Sequence, residues 1–286
     1  MNHLTIQSTA KVNLALDILG VQEKGPFKGY HKIQTIFHEI TPQNTHGFLP
    51  DIISIKVFDA IGKSSRGKSS IHLPENFRSY DNTLFKAANL IIKNYCQNSP
   101  KKIEIKIEKN IPIASGLGGG SSNAAAVLKA LNELLNLHLS VKELESLAAQ
   151  IGMDVPFFIQ GGVALGENFG ELITHLPEVK GLAFTLFHGA KSSQTQNAIR
   201  KIESVSNSKK SKIQKLKKTH LAYSQIDLSK CGKQTDKTIA LLHAIRTNDH
   251  SKIHENIHND FETLLKTPLP QNYHLTGSGP TYFLVS

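Results

Sequence analysis

Between residues 102 and 137 the chain runs from strict alternation, through a glycine cluster, into an alanine-rich stretch. Lys102-Ile103-Glu104-Ile105-Lys106-Ile107-Glu108-Lys109 leads through Asn110-Ile111-Pro112 into Ser115-Gly116-Leu117-Gly118-Gly119-Gly120-Ser121-Ser122, and a helical pattern follows from Asn123 to about Leu137. The period of two predicts a half-buried strand. Glycines in the connection admit positive φ and let the backbone approach an anion without a Cβ in the way. The unpaired N–H groups of the next helix, helped by its dipole, then point at that anion. A flexible Gly/Ser linker is the plain alternative, but linkers seldom join a clean strand to a helix start. The loop is not a Walker A motif, because no Lys follows the last glycine. It is not the dinucleotide fingerprint either, because the third glycine of GxGxxG falls on Ser121.

The flanking sequence alternates strand and helix signals. Leu4 to Gln7, Lys11 to Ile18, Ile33 to Phe37 and Ile52 to Val57 read as strands, with a turn-rich loop from Lys24 to His31 and a surface loop from Gly62 to Ser70. Asp81-Asn82-Thr83 caps a helix to about Tyr95, and Ser140 caps another that Gly152 stops. Later strands are expected at Gly161 to Leu165, Leu182 to Phe187 and Tyr282 to Val285. Helices are expected at Thr235 to Arg246 and Ser251 to Leu265, with partial helix at 196 to 220. A composition shift after residue 165 divides the chain into 1–165 and 166–286, and no internal repeat is present.

Length and composition bound the class. With 286 residues and 39% hydrophobic positions the chain can bury a sizeable core. Its apolar runs fall short of the roughly 20 residues of a transmembrane helix, and Asn13 and Asp17 interrupt the N-terminal one, so no membrane partner is expected. The two cysteines, Cys96 and Cys231, form no CxxC motif and suit a reducing, cytoplasmic setting. The net charge of +10 is localised: Lys191 to Lys237 holds 12 of the 33 basic residues and 3 of the 23 acidic ones. That segment has one aromatic, Tyr223, so it reads as a solvated Lys/Ser stretch rather than a nucleic-acid surface with a stacking platform. Electrostatic steering of anionic substrates is a milder role for it.

His254-Glu255-Asn256-Ile257-His258 is a literal HExxH on an expected helix, the pattern of a zinc hydrolase with Glu255 as base. No Gly-x-x-His follows it, and Glu262 is the only carboxylate side chain after Asp260.

Pro112-Ile113-Ala114-Ser115-Gly116-Leu117-Gly118-Gly119-Gly120-Ser121-Ser122 resembles the ATP-binding motif of the GHMP kinases. The likeness extends in order through Ala10-Lys11-Val12-Asn13-Leu14, Gly29-Tyr30-His31 with Gln34-Thr35, Gly152-Met153-Asp154-Val155-Pro156-Phe157-Phe158, Asn259-Asp260-Phe261-Glu262 and Leu275-Thr276-Gly277-Ser278-Gly279. This resemblance implies an α+β GHMP kinase fold of two domains with the active site in the cleft between them. It implies ATP with Mg2+, the latter held mostly by phosphates and water with Ser121 or Ser122. The catalytic pair it implies is Lys11 and Asp154. Asp154 follows a helix stop and precedes a Pro-stiffened apolar stretch, which suits a proton acceptor. The acceptor implied is a small alcohol carrying a cytidine diphosphate group, its cytosine read by Tyr30 and His31, with Asn13, Gly277 and Ser278 also on the substrate side. A mevalonate- or homoserine-type alcohol kinase is the alternative. A monomer or weak dimer is expected.

Overall fold

The structure is a computed structural model that describes residues 2–60, 68–77, 82–188, 217–265 and 268–286. The expected cap Asp81, the loop 62–67 and the stretch 189–216, which includes most of the basic segment, lie outside the described residues. Strands and helices are mixed along the chain, in two compact units that alternate in sequence. One comprises residues 1–10, 49–111 and 118–161, the other residues 11–48, 112–117 and 162–286.

In the first unit, β1 (His3–Ser8), β4 (Asp51–Asp59), β6 (Lys101–Glu108) and β5 (Ser70–His72) form a sheet in the order β1-β4-β6-β5. β1/β4 and β4/β6 are antiparallel and β5/β6 parallel. Alternation in β4 and β6 buries Ile53, Ile55, Ile103 and Ile105, each contributing about 1.5–3 kcal/mol. Against this sheet lie α1 (Thr83–Tyr95) and α2 (Gly119–Leu134). Asn82 caps α1 by accepting the Leu84 N–H at 2.9 Å. On α2, Ala124, Ala125 and Ala126 are small enough for close approach. The unit continues with α3 (Val141–Ala149) and α4 (Phe157–Gln160).

The second unit holds a sheet of order β10-β2-β3-β7-β8: β2 (Ala10–Val21), β3 (His31–Ile40), β7 (Val163–Glu167), β8 (Leu172–Leu176) and β10 (His258–Asn259). A second sheet orders β11 (His274–Leu275), β12 (Thr281–Val285) and β9 (Phe184–His188). The other α-helices among the described residues are α5 (Lys217–Ser224), α6 (Thr235–Thr247) and α7 (His250–Asn256). Leu16, Ile18, Ile33, Ala222, Cys231, Phe261, Leu275 and Tyr282 share one core cluster. Both cysteines are free and buried.

β2 is buried over most of its length, and Lys11, Asn13 and Asp17, two or four residues apart, place polar groups on one strand face inside the unit. Each needs internal partners. Asp17 accepts from Thr238 Oγ1 at 2.5 Å and lies 3.2 Å from His258 Nε2.

The expected helix from Ser251 to Leu265 is corrected here. α7 ends at Asn256, His258 and Asn259 pair in parallel with β2, and residues 260–264 form a 3-10 turn. His258 is therefore a buried strand residue turned to Asp17, while His254 stays on the helix. The HExxH residues do not share a helical face, and no group of three or more His, Cys, Asp or Glu side chains suited to a metal occurs among the described residues. The zinc-hydrolase alternative falls with that geometry. No helix among the described residues is long and apolar enough to cross a membrane.

Candidate active site

The glycine loop begins to turn at Ala114. Positive φ values at Ala114 (57°), Gly116 (83°) and Gly118 (71°) put every second residue of the loop in the left-handed region, at two of the three positions a glycine. α2 starts at Gly119, four residues before the expected Asn123. Glycine is a poor helix interior residue but fits a first turn that must stay close to other groups. A Cβ on Gly119 would lie 2.7 Å from Ile111 Cγ2.

Ser121 and Ser122 N–H groups both donate to the Gly118 carbonyl at 2.9 Å. No acceptor among the described residues takes the N–H of Gly118, Gly119 or Gly120, so these donors remain for a ligand anion. Ser122 is buried and accepts from Ser8 Oγ at 2.8 Å, which ties it to β1. Ser121 is half-buried and its hydroxyl has no partner among the described residues. Lys109, at the end of the expected strand, brings its ammonium to 3.4 Å from the place a Gly119 Cβ would take, and pairs with the buried Asp51. Thr83 Oγ1 donates to the Gly120 carbonyl at 2.7 Å. These donors, the cation beside them and the lack of side chains at 118–120 suit a polyphosphate.

Residues 112–117 are anchored within the second unit. Lys11 N–H donates to the Leu117 carbonyl at 2.9 Å and Thr281 N–H to the Ser115 carbonyl at 3.2 Å. Leu117 N–H reaches Ser115 Oγ at 3.3 Å. Pro112 is half-buried, and Ile113 exposes 56% of its surface, an apolar platform on the loop.

Lys11 is 3% exposed on β2, and its ammonium donates to Asn13 Oδ1 at 2.6 Å. Asn13 is as deeply buried, and its Oδ1 also accepts from the Gly277 N–H at 2.8 Å and from Thr276 Oγ1 at 3.2 Å. The Gly277 carbonyl accepts from Asn259 Nδ2 at 2.9 Å. The polar groups of Asn13 and Gly277, both expected on the substrate side, are thus engaged within the protein. Ser278, half-buried beside them, has no hydroxyl partner among the described residues.

Asp154 lies in the other unit. Ser140 and Glu143 close a capping box at the start of α3, and the chain turns through 151–156 with Val155 N–H on the Gly152 carbonyl at 3.1 Å. Buried Val155, Phe157 and Phe158 anchor that turn, and Lys129 Nζ holds the Phe158 carbonyl at 3.0 Å. The Asp154 carboxylate is half-buried and makes no hydrogen bond or ion pair among the described residues.

Tyr30 and His31, adjacent where the chain enters β3, meet different neighbours. Tyr30, 49% exposed, meets Phe27 and Phe169 edge-on with ring centroids at 5.5 and 5.6 Å. The His31 ring lies 4.7 Å from that of Tyr223, which also meets Phe261 edge-on at 4.8 Å. Phe169, which no local pattern singled out, and Tyr223, read only as a lone aromatic in a basic segment, therefore complete the aromatic surroundings of the pair.

Residues 82–162 match the GHMP kinases N terminal domain. The chain is 32% identical over 296 residues to the 4-diphosphocytidyl-2-C-methyl-D-erythritol kinase of Caldicellulosiruptor saccharolyticus, spanning 98% of this chain and 87% of the relative. It is 29% identical over 301 residues to the kinase of the same name from Alkaliphilus metalliredigens, spanning 99% and 88%. Among solved structures, a 4-(cytidine 5'-diphospho)-2C-methyl-D-erythritol kinase superposes with a TM-score of 0.64 at 24% identity over 98% of this chain and 89% of the other. Homoserine kinase from Cytophaga hutchinsonii superposes with 0.61 at 17% over 100% and 85%, a likeness of fold.

Proposed function

The chain belongs to the 4-diphosphocytidyl-2-C-methyl-D-erythritol kinases within the GHMP kinases, and from that premise we propose how its residues divide the work. The protein is a phosphotransferase that uses ATP to phosphorylate an alcohol, the 2-hydroxyl of 4-diphosphocytidyl-2-C-methyl-D-erythritol, in isoprenoid precursor synthesis. The observation that carries the assignment of roles is the set of unclaimed N–H groups at Gly118, Gly119 and Gly120, with Lys109 beside them. They hold the triphosphate, and Pro112 and Ile113 offer apolar surface to the adenine. Magnesium, when bound, neutralises charge on the phosphates. Ser121 is the loop hydroxyl left to reach it, since Ser122 is bound to Ser8.

Phosphoryl transfer asks the protein mainly for alignment and charge. Asp154 orients the acceptor hydroxyl and takes its proton as the new O–P bond forms and the bond to the leaving ADP breaks. Its carboxylate, unclaimed among the described residues, supports this. Lys11, held on Asn13, neutralises the moving phosphoryl group. Tyr30 stacks on the cytosine and His31 hydrogen-bonds its edge, with Phe27, Phe169 and Tyr223 fixing the two rings. Ser278 carries the acceptor contact of its turn, while Asn13 and Gly277 hold the frame. The two free thiols fit a reaction in the cytoplasm.

Steady-state kinetics of Asp154→Asn test this division. The variant is expected to lose about 10²–10⁴ in kcat with both KM values nearly unchanged. A wild-type kcat would remove Asp154 from the chemical step.

A further inference from the structure

Thr35 lies on β3 beside β2 and is fully buried. Its Oγ1 is 2.6 Å from the Ala15 carbonyl oxygen and 2.8 Å from Asn13 Nδ2. A hydroxyl has one proton to give. The Ala15 carbonyl can only accept, so the proton goes there, and the side of Oγ1 facing Asn13 presents a lone pair. That lone pair needs an N–H, which turns the Asn13 amide nitrogen toward Thr35 and its oxygen toward Lys11 Nζ, Gly277 N and Thr276 Oγ1. With the amide reversed, its NH₂ would face an ammonium and a backbone N–H, donor against donor in a buried setting. Among the described residues, Thr35 is the only acceptor for Asn13 Nδ2.

We propose that Thr35 is a positioning residue for phosphoryl transfer: its hydroxyl sets the direction of the Asn13 amide, and that amide holds the Lys11 ammonium in place. The proposal rests on the assignment of Lys11 to the chemical step. A threonine that served only to pack β3 would be replaced well by the isosteric valine and badly by alanine. An orienting hydroxyl gives the opposite grouping, with serine competent and valine and alanine equally impaired.

The test is kcat, KM for ATP and thermal melting of Thr35→Ser, Thr35→Val and Thr35→Ala, alone and combined with Lys11→Ala. Thr35→Ser is expected to keep wild-type kcat. Thr35→Val and Thr35→Ala are expected to lose about tenfold or more, with KM for ATP unchanged. In the Lys11→Ala enzyme neither should cause a further loss, because the group being positioned is gone. Should the valine variant not melt cooperatively, the serine and alanine variants and the alanine double mutant carry the comparison. The proposal is overturned by wild-type kcat in a folded Thr35→Val or Thr35→Ala enzyme, or by a full second loss on top of Lys11→Ala. Wild-type kcat in Lys11→Ala alone would instead overturn the Lys11 assignment, and the proposal with it.

Discussion

A Cβ added to Gly116 would sit 2.3 Å from the carbonyl oxygen of Thr276, a contact that no side chain could make without moving backbone. Gly116 also has φ +83°, where L-residues are strained. The first half of the glycine loop is thus pressed against the turn that carries Gly277 and Ser278. Lys11 joins the two, donating its N–H to Leu117 and lying, at Nζ, 3.4 Å from the place a Gly277 Cβ would take.

Gly116→Ala is predicted to destabilise the protein and raise the KM for ATP. Gly25→Ala is its control, since Gly25 has the same φ of +83° with nothing within 4 Å. The control isolates the conformational cost of about 1–2 kcal/mol. Thermal melts should show a clearly larger loss at Gly116, and only that variant should change the KM for ATP. Equal losses would mean that the Thr276 carbonyl gives way.

Much of the first unit was legible because its signals are local. The Ser140 cap, the Asn82 cap and the alternation of β6 involve residues a few positions apart. The start of α2 was misread by four residues because glycine's weak propensity hides a first turn that its neighbours require. The stretch after Ser251 was misread for a different reason. Its spacing suits a helix, but residues 258 and 259 pair with β2, some 240 positions earlier. Asn13 was legible as a site residue but not as an internal acceptor, since Thr35, Thr276 and Gly277 meet it only in the folded chain. The same holds for Phe169 and Tyr223 around Tyr30 and His31.

The aromatic group around Tyr30 separates binding of the two substrates. Tyr30→Leu should raise the KM for the diphosphocytidyl substrate about tenfold, from lost base stacking, and leave the KM for ATP unchanged. Phe169→Ala should show the same kinetic split through Tyr30, with a stability loss of about 3 kcal/mol because Phe169 is buried. A rise in KM for ATP in either variant would contradict the separation.

His38 gives stability a dependence on pH. Its ring is buried on β3, Nδ1–H donates to the Glu39 carbonyl at 2.8 Å, and Nε2 has no partner among the described residues. Burial pushes its pKa down to about 4. Between the unfolded value of about 6.5 and that native value, the unfolded chain binds a proton that the native one does not. The contribution is therefore complete above pH 6.5 and lost as pH falls toward 4. Burial raises Asp260 and Glu262, which act in the opposite sense, so the comparison must be with His38→Phe rather than within the wild type. Urea unfolding at pH 7 and pH 4.5 should show the wild type losing up to about 3 kcal/mol more than the variant. Parallel curves would mean that the His38 ring is charged in the fold.

The most direct measurement is ADP release by the wild-type enzyme with ATP-Mg and three acceptors in turn: 4-diphosphocytidyl-2-C-methyl-D-erythritol, mevalonate and homoserine. Turnover with the first and none above background with the other two is the predicted result. Turnover with mevalonate or homoserine alone would contradict it.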